Sequence, residues 1–273
     1  MQEILEKIQV HIPFALLREK LLPTVLRESI RPEIGFSHLD LDRFRESDFR
    51  ETADRLADAG LSVTFHAPFM DLRPGALDPR IRQASLDRLR EVFDLIPWFR
   101  PRTVVCHPSF DEKYYAASEQ PWLANSLDTW RHLRERVRGT GTVIALENVY
   151  ERSPQPLKLL LDSLAAPEFC FCFDTGHFNV FAGAPLAEWM ETLGGRLGEI
   201  HLHDNRGLAD EHLPVGEGSF PFGELAEILR ERRLRPILTI ESHSEKGLRR
   251  MLENIRSMNL LERLGGLSCP GRA

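Results

Sequence analysis

Residues 199–218 read EIHLHDNRGLADEHLPVGEG, and their opening decides how the chain is built. Ile200 and Leu202 alternate with His201 and His203, the pattern of a strand with both imidazoles on one face. The strand then breaks into the polar loop Asp204-Asn205-Arg206-Gly207 and runs on to Asp210-Glu211-His212. A solvated loop could carry such residues, but the apolar strand feeding this one anchors His201 beside a core. The remaining sequence can be read as a supply of partners for it.

Seven more short apolar runs resemble this one. They are IQVHIPF (8–14), PEIGFS (32–37), SVTFHAP (62–68), TVVCHPS (103–109), TVIALENV (142–149), FCFCFDTGH (169–177) and PILTIES (236–242). Stretches of helical period lie between them, among them ESDFRETADRLADAG, DPRIRQASLDRLREVFDLIPWF and FGELAEILRERR. Asp78-Pro79 reads as an N-cap followed by proline in the first turn, and Gly60 and Gly194 stand where helices should end. Eight strands alternating with helices imply a parallel sheet, and closure into a single α/β (β/α)8 TIM barrel is the natural solution. An open doubly wound sheet competes, but it usually has a Gly-rich turn after its first strand, which IQVHIPFALLREK lacks. The first unit is the weakest, because Pro23 interrupts its helical pattern. One barrel domain is expected over residues 1–265, with 266–273 as a flexible tail.

At 273 residues, 42% hydrophobic and 28% charged, the chain fits one large globular domain. Its formal net charge of −6 gives no general pull towards nucleic acid or an anionic membrane. No apolar run approaches the roughly 18 residues of a spanning helix. The start, MQEILEKIQVHIPF, carries acids where a signal peptide has a basic region, so a cytoplasmic protein without membrane partners is expected. Cys106, Cys170, Cys172 and Cys269 form no CxxC pair, which argues against a zinc ribbon or a thioredoxin-type motif.

In a TIM barrel the chemistry gathers at the C-terminal ends of the strands. His66, His107, Glu147, Asp174, His177, His201 and Glu241 all fall at those ends. The alternation agrees, since Glu147 shares a face with Val143 and Ala145, Asp174 with Cys170 and Cys172, and Glu241 with Ile237 and Thr239. Any one of these could be a hydrogen-bonded pocket residue or a member of a structural ion pair. Seven converging on one mouth point to a divalent metal, because buried charge is costly unless it is paired or coordinates a cation. Imidazole and carboxylate without thiolate suit zinc, manganese or iron. Asp210 and His212 gain meaning from the short loop that could fold them back over the mouth. His203 is expected to point the same way as His201 but further out, either behind the ligands or in contact with substrate, and not as a ligand. His11 and His38 read as ordinary polar residues, and Trp98, Trp122, Trp130 and Trp189 as helix-face packing.

The order H-A-P (66–68), H-P (107–108), L-E-N (146–148), F-D-x-x-H (173–177), H-L-x-D (201–204), D-x-H (210–212), G-E-G (216–218) and E-S (241–242) resembles the xylose isomerase-like TIM barrel superfamily. The resemblance spans roughly residues 60–242 and is specific in combination. Two branches of that superfamily imply different sites. Ketose epimerases imply one metal on Glu147, Asp174, His201 and Glu241, with His177 and Arg206 holding substrate and the two glutamates moving a carbon-bound proton. Endonuclease IV-like enzymes imply three zinc ions on nine ligands: His66, His107, Glu147, Asp174, His177, His201, Asp210, His212 and Glu241.

The full ligand count favours the multinuclear branch. The acidic chain and its short first two units favour a small molecule, with Phe69 and Met70 as apolar lining of a sugar pocket. The reading adopted is a divalent-metal-dependent isomerase or epimerase of a small sugar or sugar phosphate. It works through an enediolate with Glu147 and Glu241 as acid and base, holds one to three ions (zinc or manganese first), and contacts substrate through His177, His203, Arg206 and Phe69. The competing readings are an endonuclease IV-like phosphodiester hydrolase, the only one with a nucleic-acid partner, and a metabolite-binding barrel without turnover.

Overall fold

The computed structural model describes residues 2–263, so the segment read as a tail lies outside the described residues. Eight parallel strands close into a barrel in sequence order. They are β1 (Gln9–Pro13), β2 (Arg31–Gly35), β3 (Thr64–His66), β4 (Thr103–Cys106), β5 (Val143–Glu147), β6 (Phe169–Asp174), β7 (Leu197–Leu202) and β8 (Ile237–Ile240). The seam is β1 against β8, with Gln9 opposite Thr239 and Val10 opposite Ile240. All eight apolar runs became strands, and the chain is a single (β/α)8 TIM barrel.

The strands are short Val-, Ile- and Phe-rich segments because each is covered on its outer face by a helix. Phe65, Val104, Ile144, Phe171, Phe173 and Ile200 are fully buried there with Trp130, Trp189 and the leucines of the surrounding helices. Burying each such side chain stabilises the fold by about 1.5–3 kcal/mol. The helix Pro79–Phe93 starts as expected, with Asp78 accepting the Arg80 N–H at 2.7 Å. The helix Glu46–Asp58 is closed by Gly60 at φ +69°, where no side chain is crowded but left-handed backbone favours glycine. In the first unit the chain makes a π-helical turn, Leu17–Leu21, before the helix Leu22–Arg27. Pro23 sits in the first turn of that second segment, where its missing N–H costs little.

The inward faces are less apolar than in a typical TIM barrel. Val105, Ala145 and Cys172 form a small apolar floor. Beside it Glu199 accepts hydrogen bonds from Thr103 Oγ1 (2.5 Å) and Thr239 Oγ1 (2.6 Å), which reach it from β4 and β8. Burial and the neighbouring Glu33 push the Glu199 carboxyl up to about 8, against the pull of His201. No described helix is long and apolar enough to cross a membrane.

Candidate metal centre at the barrel mouth

Strand alternation delivers the polar side chains. His66, Glu147 and Asp174 are the last residues of β3, β5 and β6, His107 and Glu241 directly follow β4 and β8, and His201 is the penultimate residue of β7. Asp174 also caps the helix Thr175–Phe181, accepting the His177 N–H at 2.6 Å, and this turns the His177 ring over the mouth. The loop after β7 is tied at its root. Asp204 Oδ2 accepts the N–H groups of Gly216 (3.0 Å) and Gly218 (2.8 Å), and its Oδ1 accepts that of Phe220 (3.1 Å). Gly218 is required there, since a Cβ would lie 2.1 Å from the Asn205 carbonyl oxygen. The loop thereby carries Asp210 and His212 back over the barrel.

All nine expected ligands meet in three adjoining groups. In the first, His66 Nε2 and His107 Nε2 lie 3.3 and 3.0 Å from Glu147 Oε2. In the second, His201 Nδ1 faces Glu241 Oε1 at 3.2 Å, Glu147 Oε1 at 3.5 Å and Asp174 Oδ2 at 3.7 Å. In the third, Asp210 Oδ2 stands 3.0 Å from His212 Nε2 and 3.5 Å from His177 Nε2. Glu147 bridges the first two groups.

These residues fit a cation better than they fit one another. His107 Nε2, Glu147 Oε2 and His201 Nδ1 are buried and make no hydrogen bond, although His107 and Glu147 approach to 3.0 Å. Ring nitrogens of His66, His177 and His201 are already engaged. His66 Nδ1 meets the Ala67 carbonyl (2.9 Å), His177 Nδ1 the Asn148 carbonyl (3.1 Å) and His201 Nε2 the Glu33 carboxylate (3.2 Å). A carbonyl only accepts, so His66 and His177 donate from Nδ1 and turn Nε2 towards Glu147 and Asp210 respectively. Such an outer partner on the far nitrogen is the usual setting of a metal-bound imidazole.

Without a cation, protons balance the charge. Burial pushes the Glu147 carboxyl up, but His107 and His201 outweigh this and hold it well below the carboxylate range. Glu241 is likewise lowered by His201 and His11 against its burial, and Asp174 by His177 and His203. Burial works against a charged His66, yet Glu147 raises it to about 9. His107 goes the other way, since burial outweighs the pull of Glu147 and lowers it. A divalent ion would displace the protons from such imidazoles.

A cavity of about 1900 Å³ opens above the cluster. Phe69 lines it and stacks on His107 with ring centres 4.5 Å apart. His203 is fully buried beneath, with Nε2 2.9 Å from Asp174 Oδ2 and its ring stacked on His212 at 3.9 Å. Arg206 points away, is largely exposed and pairs with Glu211. Sequence reasoning missed Glu33 and His11. Glu33 is fully buried on β2 and takes contacts from His11 Nδ1 (2.9 Å) as well as His201. Its signal in PEIGFS is one charge on an otherwise apolar strand, sharing a face with Gly35, whose Cβ would meet the His11 ring at 2.7 Å. His243 was also missed and stacks on His212 at 4.1 Å.

Comparison with known proteins agrees with this architecture. The uncharacterized protein MJ1311 of Methanocaldococcus jannaschii is 29% identical over 190 residues, which cover 67% of this chain and 64% of that protein, just under two thirds of its length. A D-tagatose 3-epimerase-like protein superimposes with a TM-score of 0.75 at 22% identity, over 95% of this chain and 99% of its own. The TTHB071 protein from Thermus thermophilus, in a structure soaked with zinc chloride, gives a TM-score of 0.75 at 22% identity over 98% and 100% of the two chains. At that identity these two likenesses carry the fold. The family model described as xylose isomerase-like TIM barrel matches residues 32–260, and the chain belongs to that family.

Proposed function

We propose that the protein is a divalent-metal-dependent isomerase or epimerase of a small sugar derivative. The observation that carries this is the pair Glu147 and Glu241. Their carboxylates flank His201 Nδ1 at 3.5 and 3.2 Å, and both line the floor of the cavity. A divalent ion held by Glu147, Asp174, His201 and Glu241 would draw electron density from neighbouring oxygens of a hydroxy-ketone, which acidifies the carbon between them. Glu147, held ionised by its imidazoles, removes the carbon-bound proton from one face. Glu241 takes a proton from solvent and delivers it to the other face, and Glu147 releases the proton it took to solvent, so both return to the carboxylate. Phe69, stacked on His107, keeps water from one side of the sugar.

The test is exchange. Metal-loaded protein incubated with ketoses in deuterated water should place solvent deuterium at the epimerised carbon. Loss of exchange in Glu147→Gln with retained ligand binding separates an enzyme from a binding barrel. Asp210 and His212, with His66 and His107, favour a second reading, metal-dependent phosphoester hydrolysis, because a one-ion epimerase has no use for them. Elemental analysis separates the two, at about one ion per chain for the epimerase and two to three for the hydrolase. Nicking of a duplex with an abasic site, without sugar exchange, would decide for the hydrolase.

A further inference from the structure

Three arginines among the described residues line the cavity: Arg27, Arg73 and Arg249. Arg27 is paired with Glu28 at 2.8 Å and Arg249 with Glu245 at 2.7 Å. Arg73 has no carboxylate within ion-pair distance among the described residues. Its guanidinium lies over the exposed Tyr114 ring, 5.0 Å from the centroid, and its Nη1 is buried with no hydrogen-bond partner. Burial raises the nearby Tyr115 hydroxyl, and the Arg73 cation and its polar contact with that hydroxyl pull it the other way; a neutral hydroxyl leaves the guanidinium charge uncompensated. Buried donors are nearly always matched, and a guanidinium offers a planar edge suited to two oxygens of a phosphate or carboxylate.

The backbone around Arg73 is built to hold it. Its N–H donates to Ser85 Oγ at 2.8 Å. Ser109 Oγ donates to the Leu72 carbonyl at 3.1 Å, and Thr129 Oγ1 to the Pro74 carbonyl at 2.8 Å. These anchors come from the helix Pro79–Phe93, the segment after β4 and the helix Glu119–Val137, so the turn is fixed from three sides. The side chain therefore presents a positioned cation to the same cavity whose floor is Glu147 and Glu241.

We propose that Arg73 binds an acidic oxyanion group of the substrate, a phosphate or a carboxylate, which makes the substrate an anionic sugar derivative and not a neutral ketose. The metal cluster takes the reacting oxygens at the floor while Arg73 takes the acidic group at the wall. This rests on the isomerase reading only for what the oxyanion is attached to. A sugar hydroxyl could accept one hydrogen bond from Nη1 but would leave the guanidinium charge unanswered, so the site favours a substrate that carries an oxyanion.

Two measurements test this. Calorimetric titration of metal-loaded protein with inorganic phosphate should show at least tenfold weaker binding in Arg73→Gln than in the wild type, with Arg73→Lys between them, since a point charge lacks the guanidinium fork. Equal affinity in wild type and Arg73→Gln overturns the proposal. In the exchange assay, the wild type should prefer a ketose phosphate or a sugar acid over the neutral sugar by at least tenfold in kcat/KM, and the better of the two names the anion. Arg73→Gln should erase that preference through KM. A wild type that favours the neutral sugar, or a preference that survives in Arg73→Gln, sinks the assignment while leaving the isomerase reading intact. Arg73-dependent phosphate binding with no exchange on any sugar sinks the isomerase reading and leaves the anion site. If Arg73→Gln fails to fold, Arg73→Lys carries the same readouts, because it keeps the charge and loses only the fork.

Discussion

Two clusters of buried charge share the barrel interior and are built in opposite ways. In the lower one, two threonine hydroxyls close on Glu199, and the carboxyl rests at about 8. In the upper one, Glu147 faces imidazoles of His66, His107, His177 and His201, and its Oε2 has no hydrogen bond. Glu33 links them, touching His11 and His201. A buried acid answered by fixed donors is complete as it stands. A buried acid answered by imidazoles, which match its charge only by taking up protons, suits a cation in place of those protons, and the difference separates scaffold from reactive centre.

The sharpest way to break this contrast is Glu147→Gln. It should lower turnover about 10³-fold and cut metal content, measured by exchange rate and elemental analysis. Glu151 is an intermediate case, with one oxygen accepting the Val149 N–H at 2.7 Å and the other unmatched. Burial pushes its carboxyl up to about 7 from an ordinary 4.5, against the pull of that N–H. The folded protein therefore keeps this proton between pH 4.5 and 7 while the unfolded chain loses it, so stability falls as pH rises through that window. Glu151→Gln should remove about 3 kcal/mol of that fall, read as the change in the wild-type-minus-variant difference between urea melts at about pH 4.5 and about pH 7.5. Glu33→Gln should weaken metal binding about 10- to 100-fold by loosening His201, with little change in melting temperature once metal is saturating. Glu199→Gln should do least to the metal site, leaving metal content alone, while removing a fall in stability with pH at least as large as that at Glu151, because this carboxyl is raised from an ordinary 4.5 to about 8. A large metal loss there would erase the distinction between the clusters.

Much of this could be read from the chain. Each strand declared itself as a short apolar run, and each upper-cluster residue ended or followed one, because a barrel strand is buried until its C-terminal tip. The lower cluster was hidden for the same reason. Glu33 and Glu199 lie within their strands, where one charge looks like ordinary alternation, and their partners are far away in sequence, as with His201 and Glu33 at a separation of 168 residues. Only closure of the barrel brings β2 and β7 across from one another. Arg206 shows a complementary limit. The sequence puts it beside the mouth, but its nearest acid, Glu211, turns the guanidinium outwards. Arg73 stands out through the absence of such an acid, which requires every neighbour to be known.

The knot at Asp204 has an engineering consequence. Because backbone amides at 216, 218 and 220 converge on one carboxylate, the segment between them and the strand is pinned at its base, while Asp210 and His212 rest on His177 and His203. The tip at Leu208, 90% exposed, is thus a place where residues could be inserted or a reporter grafted, and the grip on Asp210 and His212 would hold.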